Sequence, residues 1–380
     1  MTYAITLKKF LISNPNNTAI LNKEVLEKVF KELRKYCGSQ EKISRRIGCS
    51  RRHLSSIIRK KVNPSVHIAL NICRISRTEP NQLINKITPK FKCYGSSINP
   101  AQFPLILDRR IAALIGHALG DGHVGQTFSY TNKNEVLIRK VKNLTDSFPI
   151  QNPTINTWYH GAKTIRTTTL VRDIINCAQF KASNKITSYT SVPKWIKKSN
   201  LKTKAAFLQA LFDDEGHINK KDRSIGFNMS KNIELEGNLD SFFQDIKIML
   251  EEFGVERISI THHQFYKGKN GETISKNLRF YGLNNLKIFE KRINFVHPNK
   301  RKILTELINN YKRLKLHSED RDRIFIKTLK RQDFLTAKEI SAKVKMHHRS
   351  TLNYLNKLKD RKMIARTYDT WPNKWHLTKN

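Results

Sequence analysis

Two acids stand out in a chain dominated by positive charge. Asp121 ends the run Leu114-Ile-Gly-His-Ala-Leu-Gly-Asp121-Gly122, and Glu215 ends the run Leu208-Gln-Ala-Leu-Phe-Asp-Asp-Glu215-Gly216. Each run reads as an apolar helix closing on a carboxylate, followed by Gly, His and a β-branched residue. Gly116 and Gly120 are four apart and share a helix face, as do Ala206 and Ala210 in the second copy. Small residues on such a face let two helices touch backbone to backbone, and parallel packing would then bring Asp121 and Glu215 together. Two oxygen donors so placed could hold a hard divalent cation, Mg2+ or Mn2+, and leave coordination sites for water and a phosphate. That is the equipment of metal-assisted phosphodiester hydrolysis. A second reading keeps both acids as caps of an interdomain helix pair, although two adjacent buried carboxylates without metal would repel and one would take up a proton.

The rest of the composition names the partner class. Lys and Arg number 71 against 31 Asp and Glu, a formal charge of +40 spread over 380 residues. Such a charge self-repels without a polyanion, and nucleic acid is the leading candidate because counterion release rewards basic residues; a ribosomal or membrane-surface role is the other reading. The cysteines Cys37, Cys49, Cys73, Cys93 and Cys177 form no Cys-x-x-Cys pair and are odd in number, which argues against a disulfide framework and a zinc finger. The sequence shows no membrane-length apolar stretch, secretory signal or transit peptide, so a soluble, cytoplasmic protein of prokaryotic type is expected.

The elements that must carry the two acids repeat as well. After Asp121 come a β-prone stretch (124–131), a helix (135–148), two β-prone stretches (154–159, 164–168) and a helix (170–179). After Glu215 the order recurs over 218–229, 234–253, 258–265, 277–281 and 286–292. Two tandem αββαββα units are the economical reading.

At this point the residues carry a family resemblance. Leu114 to Gly122 and Leu208 to Gly216 look like the two LAGLIDADG motifs of a single-chain homing endonuclease, and the region from about 108 to 316 is similar to that family throughout. Val192-Pro-Lys-Trp-Ile196 and Asn294-Phe-Val-His-Pro-Asn-Lys300 are further matches. The resemblance implies a monomeric, site-specific, double-strand DNA endonuclease whose metal ligands are Asp121 and Glu215. Lys185 and Lys300, late in each repeat, are the candidates for a basic group near the scissile phosphates. Base readers are expected on the β-stretches, with Gln126, Ser129, Tyr130 and Asn132 in the first repeat and Asn219, Lys221, Arg223, Asn228 and Ser230 in the second. His123 and His217 stay outside the catalytic set. The second copy departs from the pattern: Ala210 stands where Gly is usual and Asp214 where a small residue is usual. Either the lower helix contact is wider there or Asp214 faces solvent.

Both flanks read as additional modules. Gln40 to Ile58 has a helix, a turn at Gly48, a Ser50 cap and a second helix, and resembles a phage-repressor-like helix-turn-helix with Arg51, Arg52 and His53 at the start of the reading helix. A plain helical hairpin would look much the same. From about 318 onward, three helices and a hairpin around Trp371-Pro-Asn resemble a winged helix, with Arg349, Ser350, Asn353 and Tyr354 on its reading helix; a dimerisation module of the same fold is the other reading.

The expected fold is therefore α+β, a tandem pseudo-symmetric αββαββα core flanked by helix-turn-helix and winged-helix domains. Its divisions are an N-terminal arm (1–20), a helix-turn-helix domain (21–90), a linker (91–107), the two repeats (108–200 and 201–316) and a winged-helix-like domain (317–380). The termini lack the residues of a splicing intein, which points to a free-standing or intron-encoded enzyme. Two rivals share the resemblance: a transcription regulator that binds DNA through the same core without cutting, and an intron RNA maturase. Retained Asp121 and Glu215 favour cleavage, and two extra DNA-reading modules favour regulation.

Overall fold

The computed structural model describes residues 3–89, 96–159, 162–180, 185–268, 271–311, 318–332, 334–367 and 372–378. β1 (Ala4–Ile5) leads into α1 (Leu7–Ser13), and β2 (Thr18–Leu21) precedes a run of helices: α2 (Lys23–Cys37), α3 (Gln40–Ile47), α4 (Arg51–Ile58), α5 (Val66–Ser76) and α6 (Pro80–Leu83). β3 (Ile84–Thr88), β4 (Ser97–Ile98) and β5 (Leu105–Ile106) complete this part. Ser39 caps α3 through the backbone amide of Lys42, Gly48 ends it in the left-handed region at φ 79°, and Ser50 caps α4 through the amide of His53. Ile43, Ile47, Leu54 and Ile57 are buried along the seam between α3 and α4.

The stretch read as an arm is built into the fold: from Ala4 onward it carries β1, α1 and most of β2, and β1 pairs antiparallel with β5. Residues 96–107, read as linker, hold both β4 and β5.

The central part runs α7 (Arg109–Leu119), β6 (Gly122–Val124), β7 (Phe128–Asn132), α8 (Glu135–Asp146), β8 (Ile150–Gln151), β9 (Thr154–Tyr159), β10 (Lys163–Thr167) and α9 (Thr169–Cys177). After α10 (Lys194–Lys197) come α11 (Leu201–Glu215), β11 (Gly216–Asn219), β12 (Ser224–Asn232), α12 (Glu236–Glu252), β13 (Ser259–Gly268), β14 (Gly271–Tyr281), α13 (Leu283–Arg292) and α14 (Pro298–Asn309). Two antiparallel sheets have matching orders, β6-β7-β10-β9 and β11-β12-β14-β13, so each repeat is α, hairpin, α, hairpin, α. Each long β-prone stretch after an acid splits into a hairpin, because Gly122 and Gly216 start new strands directly behind the helices. β8 leaves its repeat and joins the sheet β2-β3-β4-β8, which ties the N-terminal part to the first repeat. Asn17 strengthens that tie, its side-chain amide donating to the buried Asp173 carboxylate at 2.8 Å. One apolar core runs from Ile5 to Leu304.

The C-terminal part has a core of its own, with Phe325, Leu329, Ile340, Leu355 and Trp375 buried together. It contains α15 (Ser318–Arg331), β15 (Leu335–Thr336), α16 (Ala337–Lys343), α17 (His348–Asp360), β16 (Ile364–Arg366) and β17 (Lys374–Leu377), with sheet order β15-β17-β16. Trp371, expected on the wing, lies outside the described residues.

Candidate functional site

α7 and α11 form the central helix pair. Asp108 starts α7 by accepting from the amides of Arg110 and Ile111, and Asn200 starts α11 through the amide of Thr203. Every residue of α7 from Ile111 to Leu119 is buried, because one side meets α11 and the others meet sheet and helices of its own repeat. The close approach depends on glycine. A Cβ at Gly116 would lie 2.6 Å from the Phe207 carbonyl oxygen and 2.8 Å from Ala210 Cβ, and one at Gly120 would overlap the Asp214 side chain. Gly116, Gly120 and Ala210 thus sit at the contact, while Ala206, a turn earlier, is half-buried.

Asp214 neither widens the contact nor faces solvent. Its side chain is 0% exposed and fills the space that Gly120 leaves open. There the carboxylate meets three donors of the first repeat: Tyr130 Oη at 2.7 Å, His117 Nδ1 at 3.0 Å and the Asp121 amide at 3.2 Å. Asn132 extends this network, donating to Asp121 Oδ2 at 2.7 Å and to Tyr130 Oη at 3.2 Å. Asp121 and Glu215 lie at the common end of the helix pair. Asp121 opens to solvent on one side, yet partial desolvation raises its pKa above the ordinary carboxylate value, with the Asp214 charge the next cause. Desolvation is also the main reason that Glu215 is raised; Lys185 pulls the other way and the Asp121 charge adds to the rise.

The two acids have unequal surroundings. Strand register sets Gly122 opposite Tyr130 and Gly216 opposite Phe227, so Phe227 stands where the first repeat has Tyr130. Two residues on, Met229 replaces Asn132, and four residues before the acid, Leu211 replaces His117. Polar support surrounds Asp121, whereas the matching positions around Glu215 are apolar.

Both candidate lysines reach this end of the helices, by different routes. Each acts electrostatically on both carboxylates, pulling their pKa values down against the desolvation. Lys300 Nζ donates to the carbonyl oxygens of Phe212 (3.2 Å), Asp213 and Asp214 (3.4 Å), so it caps the negative end of α11. Burial lowers its pKa. Lys185 is delivered by a segment between the repeats that docks on the second one. There the Asn232 amide bonds to the Ile186 carbonyl at 2.9 Å, and Lys231 donates to Ser188 O and Thr190 Oγ1. The two lysines are therefore not symmetry mates. Asp213 anchors the Lys300 segment: its Oδ1 accepts from the amides of Val296 (2.8 Å) and His297 (2.9 Å), and its Oδ2 lies 3.4 Å from Lys140 Nζ.

Sequence reasoning missed the roles of Asp213, Asp214 and His117. The signal was the triple acid Asp213-Asp214-Glu215, unusual in a chain with so few acids.

Several expected base readers have other employment. Tyr130 is fully buried with its hydroxyl on Asp214, which removes it as a reader, and the Asn132 amide holds Asp121. Asn219 shapes the turn after β11 by accepting from the amides of Lys221 and Asp222. Asn228 is half-buried and accepts from Asn277. Gln126 and Lys221 are exposed, and half-buried Arg223 stacks its guanidinium 4.9 Å from the Tyr311 ring centroid. Arg51, Arg52, Arg349 and Asn353 are exposed and His53 is half-buried.

Comparison with known proteins bears on this helix pair. Residues 202–294 match a LAGLIDADG-like domain. The LAGLIDADG-like match takes in α11, its terminal acid and the sheet β11-β12-β14-β13. Among curated proteins, the chain is similar to the tRNA-splicing ligases RtcB of Methanopyrus kandleri, 26% identical over 220 residues, and Pyrococcus furiosus, 26% identical over 216 residues. These matches take in 51% and 50% of this chain but only 21% and 22% of the ligases, so the chain spans about a fifth of the length of the relatives it matches. A solved structure, full-length WhiA from Thermatoga maritima, aligns over 67% of this chain and 90% of its own with 11% identity and a TM-score of 0.37. Among the described residues no helix is long and apolar enough to cross a membrane.

Proposed function

We propose that this chain binds double-stranded DNA through its LAGLIDADG-like core and hydrolyses the DNA with a divalent metal, Mg2+ or Mn2+, held by Asp121 and Glu215, acting as a monomer. The observation that carries the reading is the convergence of these acids, one from each repeat, at the end of a helix pair flanked by Lys185 and Lys300. The donor set suits a small hard cation. Among the described residues there is no group of three or more His, Cys, Asp or Glu placed to hold a metal. Two carboxylates fit an ion that keeps several waters and takes its remaining ligands from substrate phosphates. Bound there, such a cation would polarise the phosphoryl oxygen and acidify a water. The protein's own part is positional: Asn132 and the Asp214 network orient Asp121, Lys300 offsets the helix end, and Lys185 adds positive charge beside the scissile phosphates.

One observation favours a second reading, a DNA-binding regulator that does not cut. Asp214, a third carboxylate beside the pair, is spent on His117 and Tyr130, which leaves the metal little protein support. A plasmid library of candidate sites, incubated with the protein and Mg2+, separates the two. Linear product that disappears with Asp121→Asn, with Glu215→Gln or with chelator supports hydrolysis. Tight binding of a sequence with no member cut supports the regulator, and cutting that survives both substitutions sinks the proposed site.

A further inference from the structure

The C-terminal part meets the second repeat around a cleft of 660 Å³ whose lining is strongly cationic. Arg223, Arg257 and Arg279 line it from the core, and Arg321, Lys345 and Arg349 line it from the C-terminal part. Two carboxylates, Asp222 and Glu256, oppose these six cations. Asp222 is already engaged, accepting from Asn219 at 2.8 Å and pairing with Arg279 Nη1 at 3.3 Å. Like charges gathered in a concave, partly desolvated space repel one another more strongly than on open surface. Two of the guanidiniums also carry a specific deficit: the Nε atoms of Arg279 and Arg321 are buried and have no hydrogen-bond partner among the described residues. Buried donors are satisfied in nearly all folded proteins, and guanidinium donors match phosphate oxygens best. Arg279 stands on β14 and Arg321 on α15, so guanidiniums from both parts line the same cleft.

We propose that this cleft is a binding site for the phosphodiester backbone of DNA, gripped jointly by the second repeat and the C-terminal part. An extended backbone fits better than a small anion, because the cations are spread along the cleft, from Arg223 in the turn after β11 to Arg349 in the first turn of α17, where the uncharged Ser350 and Asn353 add hydrogen-bonding groups. The two parts are in register at this point, with His347 Nε2 lying 2.6 Å from the Lys221 carbonyl oxygen. The consequence is that the C-terminal part engages the same duplex as the core. The inference rests on the chain being a DNA binder and not on its cutting.

The test is therefore run in chelator, by fluorescence anisotropy of a labelled random-sequence duplex across a salt series. The wild type is compared with Arg257→Glu/Lys345→Glu, with Arg321→Lys, and with Lys194→Glu/Lys198→Glu, an exposed pair outside the cleft. Removing one phosphate-neutralising cation lowers the slope of log affinity against log salt by about 0.9. The cleft pair is expected to drop by about two such steps while the outside pair keeps the wild-type slope, and Arg321→Lys, which retains charge but not the fork, weakens binding with less change in slope. A wild-type slope in the cleft pair, or an equal drop in the outside pair, overturns the proposal. So does stabilisation of the wild type, but not of the cleft variants, by inorganic phosphate with no change in their DNA binding. If the wild type binds no duplex at all, the DNA-binding reading falls and this proposal with it.

Discussion

Asp214 of the second motif helix accepts the Tyr130 hydroxyl of the first repeat at 2.7 Å, so the two halves of the central site share one buried carboxylate. Removing the hydroxyl tests how much that sharing contributes. Tyr130→Phe leaves a fully buried carboxylate one donor short, which costs about 1–3 kcal/mol. Thermal melting is expected to show that loss. Asp214→Asn keeps the shape but turns one acceptor oxygen into an amide donor that faces either the Tyr130 hydroxyl or the His117 and Asp121 N–H groups, so it should cost more, and a smaller loss for Asp214→Asn than for Tyr130→Phe would mean that relief of the buried charge outweighs the lost acceptor.

This carboxylate also marks where sequence ends and packing begins. The duplication is legible because apolar periodicity and a terminal acid followed by Gly-His are local features, repeated 94 positions on. The order of helices and hairpins follows from the same local signals. Asp214 defeats a reading from sequence because its surroundings are set by another helix: beside a residue with a side chain at 120 it would have to leave, and beside Gly120 it is enclosed. Tyr130 does so for a related reason, since alternation along β7 gives which residues share a face but not which face meets the helices. β1 and β5 are two residues each and pair across about a hundred positions, so no periodicity announces them. The unequal support of Asp121 and Glu215 is written in the sequence as Tyr130 against Phe227, but only strand register makes those two comparable.

Glycine at the helix contact should be irreplaceable. Gly116→Val would drive a side chain into the Phe207 carbonyl and Ala210, backbone and core positions that cannot swing aside. The expected loss is about 1–3 kcal/mol or more. Gly120→Ala meets a side chain instead and should expel Asp214 from its pocket. Solvent-exposed Gly237, with nothing within 4 Å of an added Cβ, is the control, and Gly237→Ala should leave the melting temperature nearly unchanged or slightly higher. Equal melting of all three variants would contradict the close helix contact.

The raised acids give a pH dependence with a definite sign. A carboxylate whose folded pKa exceeds its unfolded value destabilises the fold wherever it is charged in both states, and that cost vanishes once the pH is below the unfolded value. Asp121 is raised from 3.8 by desolvation and then by Asp214. Asp121→Asn should therefore raise the melting temperature at neutral pH, with the gain shrinking as pH falls through the raised value and gone below 3.8. For the divalent ion proposed at Asp121 and Glu215, affinity would run the other way: protons compete for both acids at a higher pH than for ordinary carboxylates, so any Mg2+-dependent stabilisation should fade on acidification before the global fold does. Asp214→Asn lowers the Asp121 pKa and should move that fading to lower pH. An Asp121→Asn gain that grows on acidification would reverse the assigned sign.

Asp213 makes the strongest mechanical prediction, because one buried carboxylate holds the segment that delivers Lys300. Its Oδ1 takes the amides of Val296 and His297, and its Oδ2 faces Lys140, whose own pKa burial lowers. Asp213→Ala leaves two part-buried amides without their acceptor and a largely buried ammonium with the neutral Gln209 but no counter-charge, and removing one partner of a buried ion pair costs about 3–5 kcal/mol. Asp213→Asn retains an acceptor for the amides and should recover part of that. The local consequence is separable from the global one by hydrogen exchange: in Asp213→Asn the amides of Val296 and His297 should keep most of their protection, and in Asp213→Ala they should lose it while α7 and α11 keep theirs. Lys300 would then leave the end of α11, and any phosphodiester cleavage should fall with it. Unchanged protection at Val296 and His297 would show that the segment is held by its apolar contacts, Phe295 against Phe289 above all, with ring centroids 5.1 Å apart.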